Sequence, residues 1–270
     1  MQDIYGIKNE EEKLLERFLR YVRIETTSSS ESSSTPSTAC QWDLLKLLEK
    51  ELIETGLSEV ELDGNGYIRA LLPPSPGYGN VPVIGFLAHA DTASDVSGKN
   101  VKPLVHRNYS GGPIELKGAR LDPGDFPSLL KYRGETIITS DGTTLLGADD
   151  KAGVAEIMTA ADFLVRHKEI KHGPVEIFFT PDEEIGRGMS KFPLEKVKSV
   201  FCYTLDGDGE GNIETECFNA WAVNVKIKGR VIHLGSARGK LVNAVKIASE
   251  FVSMLPSSES PESTDGRFGY

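Results

Sequence analysis

The sequence is poor in cysteine and has no long apolar run. Its three cysteines, Cys40, Cys202 and Cys217, are scattered and form no C-x-x-C pair, which argues against a zinc knuckle or a redox motif. Scattered thiols are typical of a reducing compartment, so a cytoplasmic location is predicted. The longest strongly apolar run, residues 81–88, has the length of a strand and falls far short of the ~20 residues of a membrane-spanning helix. The acidic N-terminal stretch lacks the pattern of a secretory signal.

Basic residues are also in deficit. Thirty Lys and Arg against 40 Asp and Glu give a formal net charge of −10, and the chain contains no long basic run. This charge repels phosphate backbones and anionic lipids, so nucleic acid and membrane surfaces are not expected as partners. With 270 residues and 39% hydrophobic content, the chain can bury one sizeable core and part of a second domain.

The hydrophobic pattern of the first two thirds predicts an α/β fold. Near-continuous apolar runs indicate buried strands at residues 81–88, 175–180 and 200–205, and short strands are predicted at 136–139 and 144–146. Apolar residues at helical spacing predict helices at 11–22, at 42–53 and from just after Asp150. The serine-rich residues 26–38 are predicted to be a loop with too little apolar content to pack. Alternating strands and helices favour a mostly parallel sheet flanked by helices.

The texture of the sequence changes after Cys217. Residues 222–227 alternate between apolar and polar, which predicts a half-exposed strand of an open antiparallel sheet, and residues 241–254 predict a helix. We therefore expect an α/β domain over residues 1–217 and the beginning of a smaller α+β domain over 218–270. Because the chain stops without a closing element, the smaller domain is expected to be incomplete.

Acidic residues and one histidine follow the predicted strands or begin the helix after one. They are His89 and Asp91 in FLAHAD, Asp149 and Asp150 in LLGADDKAG, Glu183 and Glu184 in FFTPDEE, and Asp206 in YTLDGD. In open α/β sheets the carboxyl ends of the strands line one rim, where ligands bind. Six carboxylates and an imidazole on one rim would repel one another strongly unless one or two divalent metal ions neutralised them.

Each piece of this cluster also has a simpler interpretation. A lone His89 would be a structural histidine, an Asp149-Asp150 pair can be a helix cap, and two adjacent glutamates are often a solvated turn. The joint placement favours a metal site. His89 and Asp91 are two residues apart, so an extended chain points both to one side and Asp91 can orient the ring.

Mixed imidazole and carboxylate ligands suit zinc, with cobalt or manganese as alternatives. Two zinc ions bridged by a carboxylate would lie ~3.5–4 Å apart and lower the pKa of a shared water towards ~7. Of two adjacent glutamates, one can then bind metal while the other takes the proton of that water.

Around these residues the sequence resembles the tripeptide aminopeptidase branch of the M20 family of co-catalytic zinc peptidases. The matching stretches are HADTASDVSGKNVKP, TTLLGADDKAGVAEIMTA, FTPDEEIGRG, YTLDGDGEG and GSARGKLVNA, and the similarity runs from about Leu14 to the end. The resemblance implies a cytoplasmic enzyme that releases the N-terminal residue from tripeptides through attack of a zinc-bound hydroxide. It also implies that residues 1–217 are a catalytic domain without its final segment, that residues 218–270 begin a lid domain, and that the lid domain forms a homodimer.

The resemblance assigns a role to each residue of the cluster. His89 and Asp206 bind the first zinc, Asp149 bridges both ions and Glu184 binds the second zinc. Glu183 is the general base and Asp91 orients His89. His233 of the lid domain holds substrate or stabilises the oxyanion. A cis peptide bond is expected between Asp149 and Asp150. Leu234 follows His233 where the family usually has proline.

The family continues well beyond the point that corresponds to Tyr270 and there supplies a late histidine to the second zinc. None of His106, His167 and His172 lies in a matching context, so the second zinc site is expected to lack one ligand. Two alternatives remain open. One is another M20 activity, such as a dipeptidase, carboxypeptidase or deacylase. The other is an inactive, truncated protein that binds metal.

Overall fold

The structure is a computed structural model that describes residues 8–207, 209–217, 219–266 and 269–270. The chain divides into two compact units, Met1–Asn212 and Ile213–Tyr270. The domain limits 1–217 and 218–270 stay a prediction, and Phe218 lies outside the described residues. In the part of the chain that is described, no helix is both long and apolar enough to cross a bilayer.

Four helices and nine strands form the regular structure of the described residues. The helices are α1 (Lys8–Tyr21), α2 (Gln41–Thr55), α3 (Ala148–Arg166) and α4 (Ala244–Ser253). The strands are β1 (Ser58–Leu62), β2 (Ile68–Leu72), β3 (Ile84–His89), β4 (Leu104–His106), β5 (Ile114–Glu115), β6 (Arg120–Leu121), β7 (Ile137–Thr139), β8 (Val175–Thr180) and β9 (Phe201–Thr204). Short 3₁₀ helices cover Pro127–Tyr132, Glu183–Ile185, Leu194–Lys196, Leu234–Ser236 and Ser257–Glu259.

The main sheet has five strands in the order β1-β2-β8-β3-β9. Strand β3 pairs in parallel with β8 on one side and with β9 on the other, whereas β2 is antiparallel to both β8 and β1. Four of the five strands therefore run in one direction. His89 lies opposite Thr180, and Leu87 lies opposite Thr204, so three parallel strands end at the same edge of the sheet.

The core lies between this sheet and the helices. All six residues of β8, VEIFFT, are buried, as expected for a strand that is covered on both faces. On α2, Leu44, Leu45, Leu48 and Leu52 are fully buried at helical spacing. Helix α3 packs against β3 and α1, and α2 packs against β1 and β2. The predicted α/β sheet flanked by helices is confirmed.

Two strands of the main sheet were missed by the sequence prediction. Strands β1 and β2 form an antiparallel hairpin around the turn Asp63-Gly64-Asn65-Gly66. Asp63 Oδ1 accepts hydrogen bonds from the backbone N–H groups of Asn65 and Tyr67, which fixes this turn. The Asp-Gly-Asn-Gly sequence between two alternating segments was the available signal.

Two predicted strands are wrong. Residues 144–146 form no strand, because the backbone N–H of Leu145 donates to Ser97 O and Thr144 O accepts from the Ser140 hydroxyl. Strand β7 pairs instead with β4, which the sequence prediction omitted. Residues 222–227 are not paired either. Among the described residues of the second unit, the only strand-like pairing is the isolated antiparallel bridge between Arg230 and Val242.

The serine-rich loop, residues 26–38, is a loop as predicted, but the expectation that it does not pack is wrong. Thr26, Ser28 and Ser37 are buried. Pro36 is buried too, and hydrogen bonds hold the loop: Ser28 N donates to Thr92 O at 3.1 Å, and Thr92 N donates to Thr26 O at 3.2 Å. Satisfied polar groups can be buried at little cost, so low apolar content does not imply a free loop.

Glu176, in the middle of the buried strand β8, carries a satisfied negative charge. It accepts hydrogen bonds from Arg69 Nε at 2.9 Å, from the backbone N–H groups of Lys198 and Ser199 at 2.9 and 2.7 Å, and from Ser199 Oγ at 2.5 Å. Burial raises the pKa of Glu176, but the bonds from Ser199, Lys198 and Arg69 outweigh burial and leave the pKa below its usual 4.5.

A depressed pKa means that Glu176 stabilises the fold above the unfolded pKa and loses this effect as the pH falls through the folded value. We therefore expect Glu176→Gln to lower the free energy of unfolding by about 3 kcal/mol at pH 7, because it removes one partner of a buried ion pair. The difference from wild type should shrink below pH 4.5. Urea unfolding at pH 7 and at lower pH measures both.

Glu61→Gln is the matched control, because Glu61, on strand β1 of the same sheet, forms an exposed ion pair with Lys196. Its loss should stay below about 1 kcal/mol. Equal losses for the two variants, or a Glu176→Gln effect that does not depend on pH, would contradict the buried-charge interpretation.

Candidate metal centre

His89, the last residue of β3, lies at the centre of the cluster at the edge of the sheet. Its ring is buried. Nδ1 lies 3.3 Å from Asp91 Oδ1 and 3.1 Å from the Asp91 backbone oxygen. Nε2 lies 2.9 Å from Asp149 Oδ1. Asp91 therefore holds one ring nitrogen, and the other faces the acidic residues.

The sequence allowed the Asp149-Asp150 pair to be either a helix cap or part of a metal site, and the structure gives the two residues different roles. Both have non-helical backbone angles at the start of α3, and a cis peptide bond joins them, which confirms the expectation. Buried Asp150 accepts from the backbone N–H of Gly153 and from that of His89, each at 3.1 Å, so it caps the helix and ties it to β3. The Asp149 side chain is 70% exposed and faces His89.

Glu183 and Glu184 lie in a 3₁₀ turn directly after β8. Asp91 also fixes this turn, because its carboxylate accepts from the backbone N–H groups of Glu183 at 2.9 Å and of Glu184 at 3.2 Å. Glu183 Oε2 lies 3.8 Å from His89 Nε2, and its side chain is 51% exposed. Glu184 Oε1 accepts from the backbone N–H of Ala93 at 3.0 Å.

Asp206 follows β9, and its Oδ2 lies 3.8 Å from His89 Nε2. The structure thus brings together His89 and the six acidic residues that the sequence places at the ends of strands or at the start of α3. Within the described residues, two sets have potential ligand atoms within 4.8 Å of one another, His89 with Asp149 and Glu184, and His89 with Asp150 and Asp206. The second set differs from the assignment in the sequence analysis, which pairs Asp206 with Asp149.

The electrostatics of the cluster indicate an excess of negative charge. Burial lowers the pKa of His89, but the hydrogen bond to Asp91 and the charges of Asp91, Asp150 and Asp206 more than offset burial and raise it to about 10. Burial, and then the charges of Asp149 and Glu183, raise the pKa of Asp206. Burial and the Asp149 charge raise that of Glu184. The raised pKa values show that this site favours bound positive charge. A metal cation can therefore replace the protons there.

The donor set fits zinc. One imidazole nitrogen held by a carboxylate on its other side, together with carboxylate oxygens from three neighbouring strand ends, has the ligand types that zinc takes in proteins. The Asp149 side chain is exposed and can turn towards an ion.

The other histidines lie elsewhere. Among the described residues, His106 Nε2 pairs with Thr139 Oγ1, His167 Nδ1 with Glu169 and His172 Nδ1 with Gly173 O. His233 lies in the second unit, where it precedes the turn Leu234–Ser236 and its Nδ1 accepts from Gly235 N.

Sequence reasoning missed Asp182, which directly precedes the two glutamates. Asp182 is fully buried and has a positive φ of 60°. The available signal was a third acidic residue in FFTPDEE, in a turn too short to leave all three side chains in solvent.

Comparison with known proteins finds similarity to peptidases of the M20 family. Residues 215–270 match the peptidase dimerisation domain of the M20 family. A solved aminopeptidase PepT from Bacillus cereus aligns with a TM-score of 0.58 and 25% identity, over 91% of this chain and 57% of that one. A tripeptidase from Staphylococcus aureus, with a TM-score of 0.61 and 21% identity over 94% of this chain and 58% of that one, supports the fold alone.

The sequence comparison is more specific. The chain is 52% identical over 262 residues to peptidase T from Geobacillus thermodenitrificans, an alignment that covers 96% of this chain and 64% of the relative. The chain thus spans slightly less than two thirds of the length of that relative. The predicted resemblance to peptidase T is confirmed over nearly the whole of this chain.

Proposed function

We propose that this chain functions in a metal-dependent aminopeptidase that releases the N-terminal residue from tripeptides. The observation that carries the proposal is the cluster around His89, in which carboxylates from three strand ends and α3 surround one imidazole. The 52% identity to a peptidase T supports the choice of substrate.

The proposed ligands are His89 and Asp206 for one zinc ion and Glu184 for a second, with Asp149 between them. Asp149 Oδ1 lies 2.9 Å from His89 Nε2, and Asp149 has a potential ligand atom within 4.8 Å of those of His89 and Glu184. Its charge adds to burial in raising the pKa of Asp206 and Glu184. When bound, the metal lowers the pKa of water towards ~7 and polarises the carbonyl of the scissile bond.

The protein groups move and orient the protons of this reaction. Asp91 holds His89 Nδ1, so Nε2 faces the cluster. Glu183 Oε2 is exposed and near His89 Nε2, where it accepts the proton of the attacking water and passes it to the leaving nitrogen. Its backbone is held by Asp91, which leaves the side chain free to rotate between these tasks.

His233 is proposed to bind substrate. Its Nδ1 accepts a hydrogen bond from Gly235 N at 3.2 Å, which places the proton of the neutral ring on Nε2. Nε2 can then donate to a peptide oxygen or to the oxyanion.

We also propose that the protein is a cytoplasmic homodimer formed through its lid domain. The match of residues 215–270 to a peptidase dimerisation domain supports the dimer. All three cysteines are free thiols, which is typical of proteins in a reducing compartment. The net charge of −10 disfavours nucleic acid as a partner.

The test is hydrolysis by the complete gene product loaded with zinc. Release of free methionine from Met-Gly-Gly, with no turnover of the dipeptide Met-Gly or of an N-acylated amino acid, supports the proposal. Turnover of either of the last two substrates instead would indicate another M20 activity. Reading the genomic DNA beyond codon 270 tests the inactive alternative, because a genuine stop codon there would favour it.

A further inference from the structure

The turn that carries Glu183 and Glu184 is held between two buried carboxylates. On one side Asp91 accepts from the backbone N–H groups of both glutamates. On the other side lies Asp182, which precedes them and points away from the cluster into the serine-rich loop. Asp182 is fully buried, so its negative charge needs strong hydrogen bonds.

Neutral donors satisfy this charge. Both Asp182 oxygens accept from the backbone N–H of Ser37 at 2.9 Å, and Oδ1 also accepts from Ser37 Oγ at 2.5 Å and from Gln41 Nε2 at 2.8 Å. Gln41 is the first residue of α2, where the helix dipole also favours an anion. Bonds of this kind to a charged acceptor are stronger than neutral ones.

Arg187 makes a second attachment at the other end of the same turn. Its backbone N–H donates to Asp182 O at 2.9 Å and closes the turn. Its guanidinium donates to Ser32 O at 2.7 Å and to Ser29 O at 3.0 Å in the serine-rich loop. The Ser29 N–H in turn donates to Ser37 Oγ at 2.9 Å, which links the two attachments.

The serine-rich loop also holds the segment after His89, because Ser28 and Thr26 pair with Thr92 through backbone hydrogen bonds. One polar loop therefore connects two of the strand ends that form the cluster. A plain connector between α1 and α2 would need none of these bonds.

We propose that Asp182 is a positioning residue, which fixes Glu183 and Glu184 against the metal cluster by anchoring their turn to Ser37 and Gln41. The part of this proposal that concerns Glu183 rests on the proposed aminopeptidase function. The part that concerns Glu184 rests only on a metal ion at the cluster. Asp182 touches neither substrate nor metal ligands and acts through the backbone of the two residues that follow it.

Two substitutions separate the carboxylate from the backbone. Asp182→Asn keeps the size of the side chain but replaces one acceptor oxygen with an NH₂ donor, which then faces the donors of Ser37 and Gln41. Asp182→Gly removes the side chain and adopts the left-handed φ of 60° without strain. Both should lower kcat on Met-Gly-Gly by roughly 10–100-fold, with KM changed by less than about 3-fold, as for a loss of geometry rather than of binding. Ser37→Ala, which removes one donor, should show a smaller effect of the same kind.

Zinc affinity and cobalt absorption test the proposal without turnover. Competition with a chelator should show zinc affinity roughly 10-fold weaker in both Asp182 variants, as for other residues that orient metal ligands. The visible absorption of the protein loaded with cobalt(II) chloride should shift, because Glu184 is displaced.

Matched controls remove general destabilisation as an explanation. Glu176→Gln destabilises β8, the strand that leads into the turn. Ser34→Ala removes a hydroxyl of the serine-rich loop that donates to Pro36 O rather than to the turn. Both should keep wild-type kcat, zinc affinity and cobalt absorption below the unfolding transition. The inference is overturned if the Asp182 variants also keep them, or change them no more than Glu176→Gln. If the wild-type protein binds cobalt but cleaves no tripeptide, the proposed aminopeptidase function is refuted. The cobalt absorption of the Asp182 variants would still test whether Asp182 positions Glu184.

Discussion

Replacing Glu183 with glutamine is expected to lower kcat on a tripeptide by about 10²–10⁴-fold, the contribution of a general acid–base group. Glutamine keeps the size of the side chain and the backbone bond to Asp91, but it cannot accept a proton at Oε2. Because Glu183 is not a proposed metal ligand, zinc content and KM should stay near the wild-type values. Steady-state kinetics and elemental analysis of the same preparation measure all three.

Glu195→Gln provides the control for this variant. Glu195 is an exposed glutamate in the next 3₁₀ turn, Leu194–Lys196, and is not one of the cluster residues. Its substitution should leave kcat unchanged. Loss of zinc from Glu183→Gln together with loss of activity would instead make Glu183 a metal ligand and leave the base unassigned.

The edge of the sheet was predictable because its signals are local. A buried parallel strand is a continuous apolar run, and the residue at its end is fixed to within one or two positions. His89 therefore lies at the end of β3, opposite Thr180 of β8, as the runs at residues 81–88 and 175–180 indicate. Parallel pairing then brings the following residues together at one edge.

What was missed depends on contacts between distant segments. Strand β1, SEVEL, is half-exposed and has too few apolar residues to stand out from a loop, whereas β2, IRALL, is buried and its short apolar run was overlooked. Residues 144–146 read as a strand, but the bond from Leu145 N to Ser97 O removes a hydrogen bond that a sheet would need. No pattern within residues 222–227 tells whether a partner strand is present.

The serine-rich loop shows the same limit for polar residues. Composition shows few apolar groups in residues 26–38, although one of them, Pro36, is buried. Composition does not show that Asp182, 145 positions from Ser37, provides a buried acceptor. Asp150 shows the same limit. Hydrophobic periodicity predicts that a helix begins after Asp150, but only the fold shows that its carboxylate accepts hydrogen bonds from the backbone N–H groups of His89 and Gly153.

Asp149→Ala should have the largest effect of any single substitution, because Asp149 is the proposed bridge between two metal ions. Its Oδ1 lies 2.9 Å from His89 Nε2, and it faces Glu184 and Asp206 as well. Removal of this carboxylate should lower metal content below stoichiometry and reduce kcat/KM by more than the ~10²-fold typical of residues that only orient ligands. The fold should remain stable, since the side chain is 70% exposed.

Asp150→Asn separates the two sets of potential ligands. If Asp149 is the bridge, Asp150→Asn should keep its metal, because the Asp150 oxygens already accept from two backbone N–H groups. Its cost should instead be stability, about 1–3 kcal/mol for leaving one buried N–H group without an acceptor. Under this assignment, metal analysis and denaturant unfolding should show metal loss with a stable fold for Asp149→Ala. They should show retained metal with a less stable fold for Asp150→Asn. Metal loss in Asp150→Asn, with metal and turnover retained in Asp149→Ala, would make Asp150 the ligand and overturn the proposed bridge.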